Sequence, residues 1–260
     1  MNLTIYQVDA FAEKMFEGNP AAVIPLKSWL PDSVMQNIAL ENNLSETAFF
    51  IPLENGYHIR WFTPGSEVDL CGHATLATAH VLYQHLNYSD DEILFESRSG
   101  ILKVKKDNGL LILNFPSSLV KEIKIPENLK DAFLIQPTKC FSGRDDLMLL
   151  FDNEENICNL QPDFQKIIKS KARGIIVTAK SKKYDFVSRF FAPAVGVNED
   201  PVTGSAHTML IPYWAEKLKK TQLSARQVSA RGGNLYCKYL GERVEIGGKA
   251  VTYLVGEISI

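Results

Sequence analysis

Hydrophobic and polar positions along the chain follow two different periods, which predicts a mixture of strands and helices. Short runs rich in apolar, aromatic and β-branched residues are typical of strands. In the first half these runs are 3–11, 21–24, 46–51, 57–63, 101–105 and 110–115. Asn55-Gly56 and Asn108-Gly109 stand between pairs of these runs and predict hairpins. One helix is expected after Pro31 and an apolar helix after Gly72.

The second half repeats this alternation. Strands are expected at 147–151, 174–178, 186–191, 227–230, 235–240, 244–246 and 251–260, with a helix over 162–170 and an apolar helix from Gly204. Helices that are apolar on most of their circumference are typically buried on several sides. The polar stretch 116–126 is expected to connect two domains, 1–116 and 127–250, with the terminal strand 251–260 able to return to the first.

An internal repeat relates the two halves. Arg60-Trp61-Phe62-Thr63-Pro64 is matched by Arg189-Phe190-Phe191-Ala192-Pro193. After each proline come a loop, an acidic residue (Asp69 in one half, Glu199 and Asp200 in the other) and a glycine that opens the apolar helix. The second loop is three residues longer. Two ordinary strand-loop-helix units with glycine turns would also fit this pattern.

The helix starts Gly72-His73 and Gly204-Ser205 suggest a binding site. The first N–H groups of a helix have no partner within it, and the helix dipole adds about half a positive charge there. If the halves are related by a pseudo-twofold axis, the two starts would face each other across a cleft and hold one anionic group, such as a carboxylate. Fixed donors of this kind suit chemistry next to a carboxylate, where they stabilise developing charge.

Composition and charge exclude several classes of protein. The chain has 260 residues, 45% hydrophobic and 22% charged, which is ordinary globular usage. Its 28 basic and 30 acidic residues give no general electrostatic reason to bind nucleic acid or an anionic membrane. No run reaches the roughly 18 apolar residues of a membrane span, and no secretory leader is expected. Four dispersed cysteines suggest reduced thiols and a cytoplasmic location.

Several familiar catalytic motifs are missing from the sequence. There is no GxGxxG after a strand, no GxxxxGK[ST], no GxSxG and no HExxH. The chain therefore lacks the motifs of dinucleotide-binding proteins, P-loop proteins, α/β-hydrolases and zincins. Cys71 and His73 could offer a metal two ligands, but no second pair follows at a matching spacing. Neither a metal nor another cofactor is expected.

Five motifs follow in order along nearly the whole chain: Asn19-Pro20-Ala21-Ala22-Val23, Leu44-Ser45-Glu46-Thr47-Ala48-Phe49, Arg60-Trp61-Phe62-Thr63-Pro64, Asp69-Leu70-Cys71-Gly72-His73-Ala74-Thr75 and Glu199-Asp200-Pro201-Val202-Thr203-Gly204-Ser205-Ala206-His207. They resemble the motifs of the phenazine-biosynthesis (PhzF-like) isomerase family. The resemblance implies an α+β, diaminopimelate-epimerase-like fold: two pseudo-symmetric halves, each a curved mixed sheet around a central helix, with the active site between them. It also implies a homodimer.

The resemblance assigns roles to six residues. Glu46 is implied as the catalytic acid/base, with His73 and Asp200 as its polar partners, and the substrate is anchored by Gly72, Gly204 and Ser205. Glu46 also fits from the sequence alone, because it begins an apolar strand where partial burial would suit proton transfer at neutral pH. The alternatives are an exposed carboxylate at a strand end, a capping or surface role for His73, and a turn role for Asp200.

Three nearby side chains are expected not to carry the reaction. Related racemases of this fold use one thiol from each half; here Cys71 occupies the first place, but the equivalent place in the second half, Asp200-Pro201-Val202, holds no cysteine. Cys71 is therefore expected as a small buried residue. His207 is expected to be packed, and Ser205 to be an anion donor, since no base marks it as a nucleophile.

Two hypotheses of function follow. The first is a cofactor-independent isomerase or epimerase that moves a proton on a small, carboxylate-bearing substrate, with Glu46 as acid/base. The second is a binding or regulatory protein for small carboxylates that has little catalytic activity. The presence of Glu46 together with His73 and Asp200 favours the enzyme.

Overall fold

The computed structural model of the chain describes residues 1–260 and divides into two compact units. The first unit comprises Met1–Phe115 and Ile246–Ile260, and the second comprises Pro116–Glu245. The division expected from the sequence differs from this one: residues 116–126 belong to the second unit and 246–250 to the first. None of the helices combines the length and apolar character that crossing a lipid bilayer requires.

The first unit is a mixed sheet with two helices. Its elements, numbered in chain order, are β1 (Asn2–Ala10), β2 (Asn19–Pro25), α1 (Asp32–Asn42), β3 (Glu46–Leu53), β4 (Gly56–Phe62), β5 (Glu67–Val68), α2 (Gly72–His85), β6 (Glu92–Ser97), β7 (Gly100–Asp107), β8 (Leu110–Pro116) and β18 (Ala250–Ser259). One face packs on α1 through a core that includes Ile24, Met35 and Phe49. Helix α2 packs against β1, β2, β3 and β18 and is buried over most of its length, as its apolar circumference predicts.

The second unit has the same kind of construction. Its elements are β9 (Lys121–Ile123), α3 (Glu127–Lys130), β10 (Lys139–Ser142), β11 (Asp146–Leu150), α4 (Glu154–Cys158), α5 (Phe164–Ile168), β12 (Gly174–Lys180), β13 (Phe186–Ala192), β14 (Val197–Asp200), α6 (Gly204–Leu218), β15 (Gln222–Gln227) and β16 (Gly233–Tyr239). Strand β17 (Arg243–Gly248) leads back to the first unit. The short helices α3, α4 and α5 cover one core, and Trp214 of α6 stacks on Phe186 at 5.6 Å between ring centres.

Strand pairing repeats between the units in the same order. In the first, β1–β2 is antiparallel, β2–β3 parallel, β3–β4 and β4–β5 antiparallel, β4–β6 parallel and β6–β7 antiparallel. In the second, β10–β11, β11–β12, β12–β13, β13–β14, β13–β15 and β15–β16 repeat this series. The repeated sequence motif therefore reflects a repeated topology, and not two unrelated glycine turns.

The repeated arginine makes the same contact in both units. Arg60 donates two hydrogen bonds to Glu67, at 2.7 and 2.8 Å, and Arg189 donates two to Glu199, at 2.7 and 2.9 Å. This pairing corrects the sequence alignment, which matched Asp69 with the acidic residues of the second half. The counterpart of Glu199 is Glu67, and from each glutamate the central helix begins five residues later.

The sequence pattern missed seven elements and misplaced one strand. Strands β5, β6, β9, β10 and β14 and helices α3 and α4 were not expected. The strand expected at 227–230 is wrong: the strand is Gln222–Gln227, where alternate residues such as Leu223 and Ala225 are buried. Ser229 instead makes a turn, accepting from the Gly232 N–H and donating to the Pro201 carbonyl. Polar residues on the exposed face of Gln222–Gln227 hid its period of two.

A proline inside α6 is accommodated by the segment that opens the second unit. Pro212 has no N–H, so the carbonyl of Thr208, four residues earlier, lacks its helical partner. The Ser118 N–H donates to that carbonyl at 3.0 Å. The segment expected to be a linker therefore completes the hydrogen bonding of the central helix.

Candidate functional site

The start of α2 places a histidine in the interior of the first unit, beside a carboxylate. Gly72 is the first residue of the helix, and His73, the second, is only 5% exposed. Glu46 is the first residue of β3, as predicted, and its side chain is 18% exposed. Glu46 Oε2 lies 3.0 Å from His73 Nε2, an ion-pair distance whose angle lies outside hydrogen-bond geometry. His73 is thus a buried partner of Glu46, and not a surface or capping residue.

The other nitrogen of the His73 ring faces two further side chains. Asn19 Nδ2 lies 3.2 Å from Nδ1, and Cys71 Sγ lies 3.5 Å from it. If the Asn19 amide donates, Nδ1 is an acceptor and the ring proton is on Nε2, towards Glu46. If the amide is turned, its oxygen accepts from a charged ring. Asn19 can therefore support either protonation state of His73.

Burial and charge shift the titration of this cluster. Burial, followed by the negative charge of Glu46, raises the pKa of the Cys71 thiol to about 11. Burial lowers the pKa of His73, but negative charge on Cys71 and on Glu46 raises it by more, so that it lies above its ordinary value of 6.5. The two groups that raise the pKa of His73 are therefore the ones that lie against its two ring nitrogens, Cys71 at Nδ1 and Glu46 at Nε2.

The same three groups have donor types that metals use. Glu46, Cys71 and His73 place one ligand atom each within 4.8 Å of one another. However, the thiol faces Nδ1 of the ring and the carboxylate faces Nε2, and these nitrogens lie on opposite edges. A metal ion bound to Nδ1 would not use the contact that Glu46 makes at Nε2, and an ion bound to Nε2 would not use the contact that Cys71 makes at Nδ1. The arrangement fits proton carriers better than a single metal centre.

The start of α6 is held by a hydrogen-bond network in the second unit. Gly204 and Ser205 are its first two residues, and Thr203 precedes them. The Thr203 hydroxyl donates to Asp200 Oδ2. Gln227 accepts from the Thr203 N–H at 2.9 Å and donates to the Asp200 carbonyl at 2.7 Å. Asp200 is therefore part of the structure that sets the helix start, and its role as a partner of Glu46 stays a prediction.

His207, one turn into α6, is packed as expected. Its ring is fully buried, and Nδ1 donates to the Thr203 carbonyl at 2.8 Å, which places the ring proton on Nδ1. Burial lowers the pKa of His207 to about 4, against a smaller rise from the hydrogen bond to Thr203. His207 is neutral at pH 7 and serves the packing of the helix.

Three side chains near these helix starts were not identified from the sequence as parts of a site. Asn19 contacts His73 in the first unit. In the second, Arg173 donates to Ser205 Oγ at 3.2 Å and is held by Asp146. The motif Asn19-Pro20 carried a signal for Asn19, since it was part of the family resemblance. Asp146 and Arg173 had none, because they are separated by 27 residues.

The predicted residues thus fall into two groups, one in each unit. Glu46, Gly72 and His73 lie together at the start of α2. Gly204 and Ser205 lie at the start of α6, with Asp200 bonded to the residue before them. Their catalytic and anchoring roles stay predictions.

Comparison with known proteins gives full-length matches. Residues 8–256 match the sequence profile of the PhzC-PhzF family, described as phenazine biosynthesis-like protein. A protein of Pseudomonas aeruginosa named "uncharacterized isomerase" is 51% identical over 260 residues, with 100% of each chain covered. The crystal structure of a phenazine biosynthesis protein of the PhzF family from Enterococcus faecalis has a TM-score of 0.98 at 47% identity, covering 100% of both chains.

More distant structures share the fold alone. A hydroxyproline epimerase from Agrobacterium vitis, crystallised with trans-4-hydroxy-L-proline, has a TM-score of 0.69 at 9% identity, covering 99% of this chain and 92% of its own. Together with the Enterococcus structure, this confirms the diaminopimelate-epimerase-like α+β fold that the resemblance implied.

Proposed function

Because the chain belongs to the phenazine biosynthesis-like family, we propose that it is a cofactor-independent isomerase that moves a proton on a small carboxylic acid. Glu46 takes the proton from a carbon next to a carboxylate or an unsaturated system. The same carboxyl group then returns the proton to another atom of the substrate, so that no redox step is needed. The family name does not assign a phenazine substrate.

The observation that carries this proposal is the approach of Glu46 to His73. A carboxyl group that is 18% exposed can reach a substrate, and the buried ring of His73, 3.0 Å away, holds it in place. Asn19 supports the ring from the opposite edge. These contacts orient a single acid/base group, which is the requirement for general acid–base catalysis.

The second unit offers no equivalent carboxylate, which supports a mechanism with one acid/base. Thr47 pairs with Phe62 in the first unit and Ile175 with Phe191 in the second, so the repeat places Gly174 at the position of Glu46. Thr203 precedes its helix where Cys71 precedes the other. A second proton carrier of either type, carboxylate or thiol, is therefore missing from the positions that the repeat would supply.

In this proposal the substrate carboxylate is anchored by Gly72, Gly204 and Ser205. Each glycine opens a long helix whose first N–H groups are donors without helical partners. Asp200 holds the start of the second helix through Thr203. Homodimer formation and a cytoplasmic location, which were also expected from the sequence, stay predictions.

Proton exchange with solvent tests this function. The pure protein is incubated in heavy water with a panel of cyclic and amino-substituted carboxylic acids, and proton NMR follows the signals of hydrogens near each carboxylate. We expect loss or migration of a signal for at least one acid with the native protein, and none with Glu46→Gln. Binding without exchange, seen as ligand line broadening, would instead support the catalytically weak binding protein and contradict the isomerase.

A further inference from the structure

Arg173 is fixed at the start of α6 by contacts that no part of the proposed mechanism has used. It directly precedes β12, and its Nε and Nη2 groups donate to the two carboxylate oxygens of Asp146, at 3.0 and 2.5 Å. Asp146 is only 4% exposed, whereas 42% of the Arg173 side chain is exposed. A buried carboxylate thus holds the base of a guanidinium group whose outer edge reaches solvent.

A glycine makes room for this arrangement. The Arg173 guanidinium lies over the Phe190 ring, 5.6 Å from its centre. A Cβ atom on the next residue, Gly174, would stand 2.2 Å from the tip of the same ring, closer than any real Cβ contact. Gly174 therefore allows Phe190 to lie against the strand beneath Arg173. Two independent contacts, with Asp146 and with Phe190, fix where the guanidinium points.

The fixed guanidinium determines how Ser205 can act. Arg173 Nη2 donates to Ser205 Oγ at 3.2 Å. Because a guanidinium has no acceptor, the serine oxygen must accept this bond, and its own proton is left to point elsewhere. The Nη1 group of Arg173 makes no hydrogen bond within the chain. A donor hydroxyl and an unused cationic donor therefore stand side by side.

We propose that Arg173 is a positioning residue for the substrate: it holds the Ser205 hydroxyl as a donor towards the substrate carboxylate and places positive charge beside it. This proposal rests on the proposed function, since it adds to the anchoring role of Ser205. It makes the second unit selective for an anion over a neutral isostere. Asp146 is the group that keeps Arg173 in place.

Titration with benzoate and with neutral benzamide tests this role without requiring turnover. Backbone amide resonances of Gly204 and Ser205 report binding in ¹H–¹⁵N NMR spectra. We expect benzoate, and not benzamide, to shift both resonances.

Arg173→Met should lower the affinity for benzoate at least roughly tenfold, the effect of losing one charge-assisted hydrogen bond. Arg173→Lys should keep part of the affinity, because lysine keeps the positive charge but lacks the planar guanidinium group with its several N–H donors. Arg144→Met, at an 89% exposed neighbour, is the control and should change nothing.

Coupling between the two residues separates positioning from general support of the fold. If Arg173 acts through Ser205, the losses caused by Arg173→Met and Ser205→Ala are not additive in the double variant. Should Arg173→Met leave Asp146 unpaired and fail to fold, the Arg173→Met, Asp146→Asn double variant takes its place.

Additive losses, unchanged benzoate affinity in the Arg173 variants, or the lack of any shift at Gly204 and Ser205 in the native protein would each overturn the proposal. None of these results touches the role of Glu46, which proton exchange tests separately.

Discussion

The starts of the two central helices share one plan and differ in chemistry. At the second helical position the first unit has His73 and the second has Ser205. The strand beside the first begins with Glu46, whereas the strand beside the second begins with Gly174. The first unit thus brings together groups that titrate, and the second brings together groups that donate hydrogen bonds. In the proposed function, the duplicated topology divides proton transfer and anion binding between its copies.

The buried histidines of the two helices show what decides protonation. Burial lowers the pKa of both rings. For His207, which has only a carbonyl partner at Nδ1, it falls to about 4. For His73, negative charge nearby, including that of Glu46, reverses the shift. Burial alone makes a neutral packing histidine, and neighbouring acidic groups, here Cys71 and Glu46, raise the pKa of a ring that is buried to the same degree.

The largest expected effect comes from removing the carboxylate that distinguishes the first unit. Glu46→Gln keeps the shape of the side chain and removes the base, so the rate of proton exchange should fall roughly 10²- to 10⁴-fold, the usual range for general acid–base catalysis. Glu41→Gln, at an exposed glutamate nearby in the sequence, is the matched control. Cys71→Ser should have a much smaller effect. A larger loss with Cys71→Ser than with Glu46→Gln would assign the proton to the thiol.

The packed histidine should make the second unit sensitive to acid. The pKa of His207 is about 4 in the folded chain and about 6.5 when unfolded, so the unfolded chain binds more protons between these pH values. Stability should fall as pH decreases through this window, by about 3 kcal/mol from this group. Urea unfolding of the native protein and of His207→Gln at pH 6.5 and pH 4 measures the difference. Equal pH dependence in the two proteins would contradict it.

Adding a side chain at the counterpart of Glu46 should destabilise the second unit. Gly174→Ala places a Cβ atom 2.2 Å from the Phe190 ring, and overpacking of this kind costs roughly 1–3 kcal/mol. Gly65→Ala is the control, since its Cβ atom would meet nothing closer than 3.9 Å. Thermal unfolding compares the two. If Gly174→Ala and Gly65→Ala are equally stable, the contact with Phe190 is not what keeps a side chain, and with it a second carboxylate, out of position 174.

A smaller effect is expected on the titration of His73. Burial lowers the pKa of His73, and the negative charge of Glu46 raises it. Because Glu46→Gln removes that charge, the pKa of His73 should decrease in this variant. Ring ¹⁵N shifts measured against pH report it. In the native chain the raised pKa contributes stability that is present below about pH 6.5 and is lost as pH rises through the folded value. An unchanged His73 titration in Glu46→Gln would refute the coupling.

The sequence predicted the parts of the fold that depend on local pattern. The helix starts at Gly72 and Gly204 are confirmed, as is the strand beginning at Glu46, because glycines and apolar runs mark them directly. The repeated arginine motif correctly indicated the repeat of topology. It did not identify the correct acidic partner, since Glu67 and Asp69 are equivalent by composition and only strand pairing places Glu67 beside Arg60.

Contacts between distant segments could not be predicted in the same way. Asp146 and Arg173 meet because β11 and β12 are parallel neighbours, with Asp146 opposite Gly174 in the register. Asn19 reaches His73 across 54 residues of chain. Such pairs have no periodicity of their own, and the polar side chains involved look like ordinary surface residues in the sequence.

The division of labour between the units is tested most directly by steady-state kinetics on the first acid that shows proton exchange. Glu46→Gln should lower kcat with KM nearly kept, because it removes the group that moves the proton. Ser205→Ala should raise KM with kcat nearly kept, because it removes binding common to substrate and transition state. If Glu46→Gln turns over at the native rate, or if Ser205→Ala lowers kcat while Glu46→Gln changes only KM, the two units do not have the roles assigned here.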